Sequence, residues 1–183
     1  MHKLAEGGVL MGKLLLVVLV LSLLSLPVMA QDAPKAEVFG GYQFTRLGGT
    51  DGINMNGWNA AVTGNLNRWF GLTGDFSGTY KSVGADSLHV YTYTFGPVIS
   101  SGRNKTFSPF VHALFGGFRA TANFEGAPIS GNGFALQLGG GLDVNVSRHL
   151  GVRVIQGDWI MLHASGGSEN KNARISAGIV LRF

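Results

Sequence analysis

At 183 residues the chain has the length of one domain. It contains no Cys, which removes disulfides, thiolate chemistry, Cys-ligated zinc and a lipid-modified N-terminal Cys; only 13% of it is charged, about half the share of a soluble domain. Gly supplies 29 residues and aromatics 10%, a composition that fits neither collagen, which needs a three-residue period, nor disorder, which needs few aromatics and high net charge.

Taken in chain order, the first element is a secretory signal. Lys3 and Lys13 precede an apolar run over residues 14–26, 13 residues long. A helix that crosses a bilayer needs about 20. Pro27 ends the run, and Val28-Met29-Ala30 predicts cleavage after Ala30. Met1 and Met11 both offer a basic start. Residues 1–30 are therefore expected to be a helical signal peptide and 31–183 a β-barrel domain. The remaining 153 residues keep twelve Lys and Arg against nine Asp and Glu. That excess is too small, and too scattered, for nucleic acid. No later apolar run reaches 18 residues, so the mature part has no transmembrane helix.

From residue 37 onward the sequence alternates at period two, the pattern of strands. Residues 37–46 set Val38, Tyr42 and Phe44 against Glu37, Gln43 and Thr45. In 57–66, Trp58, Ala60, Val62 and Leu66 oppose Asn59, Thr63 and Asn65. In 70–80, Leu72, Phe76 and Tyr80 oppose Thr73, Asp75, Ser77 and Thr79. In 88–99, Tyr91, Tyr93 and Phe95 oppose Thr92 and Thr94. In 107–118, Val111, Ala113 and Phe115 oppose His112. In 134–146, Phe134, Leu136, Leu138, Leu142 and Val144 oppose Gln137, Asp143 and Asn145. The seventh segment, 150–162, breaks parity: Arg153 is odd, while Gln156 and Asp158 are even. Either a β-bulge between Arg153 and Gln156 switches the faces, or a polar residue faces outward. In 174–183, Ile175, Ala177, Ile179, Leu181 and Phe183 oppose Arg174, Ser176 and Arg182.

The connections alternate in length. Those at 67–69, 101–105 and 147–149 are short; those at 47–56, 81–87, 120–133 and 165–172 are longer and polar. Alternate connections of an up-and-down barrel lie at one end, and outer-membrane barrels have short periplasmic turns and longer outer loops. The chain is thus expected to be all-β, an eight-stranded antiparallel up-and-down transmembrane β-barrel. Its apolar faces meet lipid and its polar faces fill the interior, because lipid offers no hydrogen bonds and only a closed barrel pairs every backbone group without a free edge. A soluble barrel or sandwich would turn the same faces the other way, but its surface would be rich in Lys and Glu, and these polar faces are Gly, Ser, Thr, Asn and Ala. Aromatics gather near the segment ends (Tyr42, Phe44, Trp58, Trp69, Phe70, Tyr80, Phe107, Phe118, Trp159, Phe183), as interfacial girdles require.

The opening Val38-Phe39-Gly40-Gly41-Tyr42, the turn Asn67-Arg68-Trp69-Phe70-Gly71, the strand Gly139-Gly140-Gly141-Leu142-Asp143 and the ending Ile179-Val180-Leu181-Arg182-Phe183 resemble the small eight-stranded bacterial outer-membrane barrels of the OmpA/OmpX type, over residues 36–183. The resemblance implies a monomer in the outer membrane of a Gram-negative cell, held by membrane lipid. It also implies that Ile179, Leu181 and the closing Phe183 are read as a signal by the barrel-assembly machinery. The peptidoglycan-binding domain of longer OmpA relatives is missing, so wall anchoring is not implied.

An eight-stranded barrel has an interior that side chains just fill, so its charges must pair across the lumen. Glu37, Asp75, His112, Asp143, Arg153, Asp158, Arg174 and Arg182 are the expected polar network, with four carboxylates facing three Arg. The expected role is structural or interactive, through four outer loops, with 120–133 the longest and carrying Phe124, Glu125 and Pro128; nothing in the loops identifies a partner. A small ion or solute pore is the first alternative. A lipid A deacylase-like esterase is the second, from His163 and Ser165 two residues apart with Glu169 following; it is not preferred, and no enzyme activity, catalytic residue or cofactor is expected. His2, His89, His112, His149 and His163 form no metal-binding spacing.

Overall fold

A computed structural model describes residues 34–48, 52–84, 86–103, 105–124 and 127–183. The signal segment and the cleavage point after Ala30 lie outside these residues. Eight strands run in order: β1 Ala36–Leu47, β2 Ile53–Asn65, β3 Phe70–Val83, β4 Asp86–Ser100, β5 Phe107–Phe124, β6 Ala127–Asn145, β7 Leu150–Ala164 and β8 Gly167–Arg182. Each pairs antiparallel with the next, and β1 also pairs with β8, from Glu37 opposite Arg182 to Arg46 opposite Ala173, so the sheet closes. Among the described residues no strand is left with an open edge, which is what a lipid environment demands of a sheet.

The molecule is inside out. Thirty large apolar side chains are exposed among the described residues, while 23 polar or charged ones are buried. Leu72, Phe76, Phe95 and Ile175 all stand half exposed or more on the exterior, and Gln43, Asn59, Thr73, Asp75 and Ser77 line the interior. A soluble monomer rarely exposes an apolar patch above a few hundred Å². This band encircles the barrel, so its solvent is lipid. Tyr42, Trp58, Trp69, Phe107, Trp159 and Phe183 stand on the exterior as expected of a girdle. Phe118 does not: it is buried in the lumen with Met55, Val90 and Ala135, because its even position on β5 puts it on the face of His112, not that of Phe115.

The seventh strand holds the bulge. Opposite β8, the register shifts between Arg153 and Gln156, and Val154 and Ile155 are both exposed while Arg153, Gln156 and Asp158 are all buried. Two consecutive residues therefore face lipid, and the polar face resumes in phase. A second shift lies between Ile160 and Leu162.

Three of the four longer connections are largely paired strand. β5 and β6 run on as a paired hairpin to Phe124 opposite Ala127, β3 and β4 to Val83 opposite Asp86, and β7 and β8 to Ala164 opposite Gly167. Strands of 18 and 19 residues far exceed the roughly 9–11 that cross a membrane. Beyond the apolar band both faces meet water, so the alternation disappears from the sequence while the ladder of hydrogen bonds continues. At the opposite end, short turns join β2 to β3, β4 to β5 and β6 to β7, and both ends of the barrel chain meet: the amide of Lys35 donates to the main-chain oxygen of Phe183 at 2.6 Å.

Candidate functional site in the barrel lumen

Among the described residues, the lumen is where chemistry-bearing side chains converge. Arg174 on β8 is 1% exposed and lies between two carboxylates. Its Nη1 and Nη2 donate to Asp75 on β3 at 2.9 and 3.2 Å, and its Nε donates to Asp158 on β7 at 2.8 Å. Asp158 also accepts from Gln156 Nε2 at 2.9 Å and lies 2.7 Å from His112 Nε2. Asn59 donates to Asp75 at 2.9 Å. Gln156 in turn accepts from Arg153 at 2.6 Å, and Arg153 grips Asp143 with two parallel bonds of 2.8 and 3.0 Å. The Arg153 guanidinium is flanked by the rings of Phe39 and Phe110, each centred 4.3 Å away. That arrangement combines bidentate pairing with cation–π contact, which only Arg supplies.

Six of the eight expected lumen residues thus form one continuous network. The other two, Glu37 and Arg182, meet 3.4 Å apart at the short-turn end, where Arg103 joins them, also 3.4 Å from Glu37. Between the two groups a cavity of about 20 Å³ remains, room for roughly one water. Towards the long-hairpin end, Met55, Val90, Phe118 and Ala135 form an apolar layer above the charges.

Sequence reasoning misses Arg103. It falls in the turn at 101–105, which reads as solvent-facing, yet it is 3% exposed. Gly102, at φ 131°, makes the tight turn that precedes it, and the Gly102 carbonyl is held by Ser108 Oγ at 2.9 Å. The charge balance carries the missing signal: four carboxylates facing three Arg call for one more cation, and Arg103 makes four of each. Gln43, Gln137 and Gln156 also join the lumen, as their parity implies, although they were not among the expected network.

The residues considered for ester cleavage are arranged differently. His163 Nδ1 lies 2.6 Å from Ser168 Oγ on the neighbouring strand, exposed on the exterior, while Ser165 sits in the β7–β8 turn. Glu169 accepts from the Lys171 amide at 2.9 Å rather than orienting His163. Cross-strand register, not sequence spacing, chooses the partner of His163. Ile179, Leu181 and Phe183 all point to the exterior of β8.

The geometry matches known barrels. Neisserial surface protein A superposes with a TM-score of 0.70 at 12% identity, over 81% of this chain and 97% of that one. Ail, the attachment invasion locus protein of Yersinia pestis, gives 0.59 at 19%, over 82% and 99%. The N-terminal β-barrel domain of Pseudomonas aeruginosa OprF gives 0.58 at 10%, over 82% and 98%. None of the curated proteins matches the sequence. The outer membrane protein beta-barrel domain matches residues 16–183, and with the closed sheet, the apolar exterior and the ion-paired interior it places this chain in that family.

Proposed function

We propose that this barrel works at the cell surface, through the hairpins that project beyond its apolar band, and that its lumen is a structural core rather than a conduit. The observation that carries this reading is the contrast between the two regions. The lumen is crossed from β1 to β8 by paired Arg and carboxylates, whereas the 18- and 19-residue strands of the β5–β6 hairpin are well over the roughly 9–11 residues that cross the apolar layer. The name of Ail, an attachment invasion locus protein, agrees with such a role. Lipid and the assembly machinery are the partners that the exterior apolar band and the outward Ile179, Leu181 and Phe183 fit.

The test has two arms. Reconstituted in a planar bilayer, the protein is expected to pass no resolvable current. Cells displaying it are expected to adhere to host-type surfaces more strongly than cells displaying a variant shortened by residues 122–129. A steady conductance, or equal adhesion by the two chains when both are assembled, overturns the reading.

A further inference from the structure

We propose that the short-turn mouth of the barrel, which faces the periplasm, binds phosphate-bearing anions. The mouth is a basin of about 730 Å³, within the size range of ligand sites. Four parts of the chain bring cations to it: Lys35 before β1, Arg103 and Lys105 from the β4–β5 turn, Arg148 from the β6–β7 turn and Arg182 at the end of β8. His149 also lines it, and no Asp or Glu does among the described residues. Phe183 presents its main-chain oxygen there, but that oxygen already accepts from the amides of Lys35 and Ala36.

The floor of the basin is short of negative charge. Two guanidiniums, those of Arg103 and Arg182, share the single carboxylate of Glu37, each at 3.4 Å, longer than a good charge-assisted bond of about 2.8 Å. Arg182 spends a further N–H on the main-chain oxygen of Arg103. Arg103 Nη1 is buried and has no hydrogen-bond partner, and a buried donor left unmatched forfeits its hydration with nothing in return. Burial pushes the Arg103 guanidinium below its ordinary pKa; Glu37 and Asp143 oppose that fall and Arg182 adds to it. An anion seated in the basin would bring negative charge to the two guanidiniums that share Glu37.

Phosphate suits the site better than a lone carboxylate. Its oxygens can accept from several donors arriving from different directions, and Arg forks match it bidentately. The same chemistry comes from two sources, the headgroup of an anionic phospholipid in the inner leaflet and a soluble phosphate ester. The exposed Trp69, Phe107 and Phe183 mark this end of the apolar band, so a headgroup lies within reach of the basin.

The experiment uses the full chain folded in zwitterionic micelles and in nanodiscs of phosphatidylcholine with or without phosphatidylglycerol. Inorganic phosphate is titrated calorimetrically, and lipid retention is read by native mass spectrometry. Phosphate is expected to bind, and to bind more weakly as NaCl is raised. The loss is expected to be about tenfold in Arg103→Gln and in the double variant Lys105→Gln/Arg148→Gln. The double variant touches no ion pair of the lumen, so it carries the test if Arg103→Gln fails to assemble. Phosphatidylglycerol retained over phosphatidylcholine and displaced by phosphate assigns the headgroup as source. Phosphate binding with no preference between the lipids assigns a soluble ester. The proposal is overturned if phosphate does not bind, if the double variant binds as well as the parent, or if phosphatidylglycerol is retained but phosphate cannot displace it.

Discussion

Arg174 shows how much one buried residue can hold. Its guanidinium joins carboxylates from β3 and β7 while its own backbone belongs to β8, so three strands depend on one charge. Replacing it with Met leaves Asp75 and Asp158 buried without their cation, and loss of one partner from a buried pair costs about 3–5 kcal/mol. Urea unfolding in lipid vesicles is expected to show that loss, with Arg174→Lys intermediate because an ammonium cannot reproduce the fork. Gly139 is a second such point. A Cβ there would stand 2.0 Å from Asp158 Oδ1 and 2.5 Å from the carbonyl of Gly157. Gly139→Ala is therefore expected to displace the Asp158 carboxylate and lower stability, whereas Gly64→Ala, with open space around it, should leave the midpoint unchanged. At this scale parity alone shows which charged residues face inward. It cannot show that Arg103 folds back from a turn, because a turn has no faces to count, and it is overruled wrongly at Phe118 because a ring near a strand end suits a lipid interface and a lumen equally well.

Among the elements, β7 carries the sharpest test. Its extra residue lets Arg153 and Asp158 share one face. Deleting Val154 removes that extra residue and leaves Arg153, Gln156 and Asp158 in phase, so the variant is expected to assemble. Deleting Gly157 instead makes Gln156 and Asp158 adjacent and drives one of them into lipid, so it is expected to fail. The fraction of chain reaching the folded band on a gel separates the two, and equal behaviour would refute the parity argument. The bulge is legible in the sequence because a buried charge cannot be hidden on the wrong face. The hairpin extensions are not, since outside the apolar band nothing in the side chains records whether the backbone is paired. Thr121 opposite Ser130 and Ala122 opposite Ile129 look like loop residues until the register is seen.

For the molecule as a whole, the governing fact is that its apolar surface is on the outside and its ions are on the inside. The closed form is expected to migrate differently before and after boiling when extracted in detergent, and the chain is expected to precipitate when detergent is withdrawn. A species that stays dissolved and folded in plain buffer would contradict the orientation of every strand. The barrel shape, the strand count and the end at which β8 finishes are all legible, because alternation and turn length are each set by the membrane. What the surface recognises is not, since recognition depends on side chains at the outer tips, where no such constraint acts.

The seam between β1 and β8 dictates when the barrel can be completed. Glu37 and Arg182 stand 145 positions apart along the chain and end up side by side. No intermediate with fewer strands can seal itself, so both margins of the growing ribbon stay sticky until the final stretch of polypeptide has been delivered. Closing the ring is thereby forced to wait for the whole polypeptide, because its first and last strands are each other's only remaining neighbours.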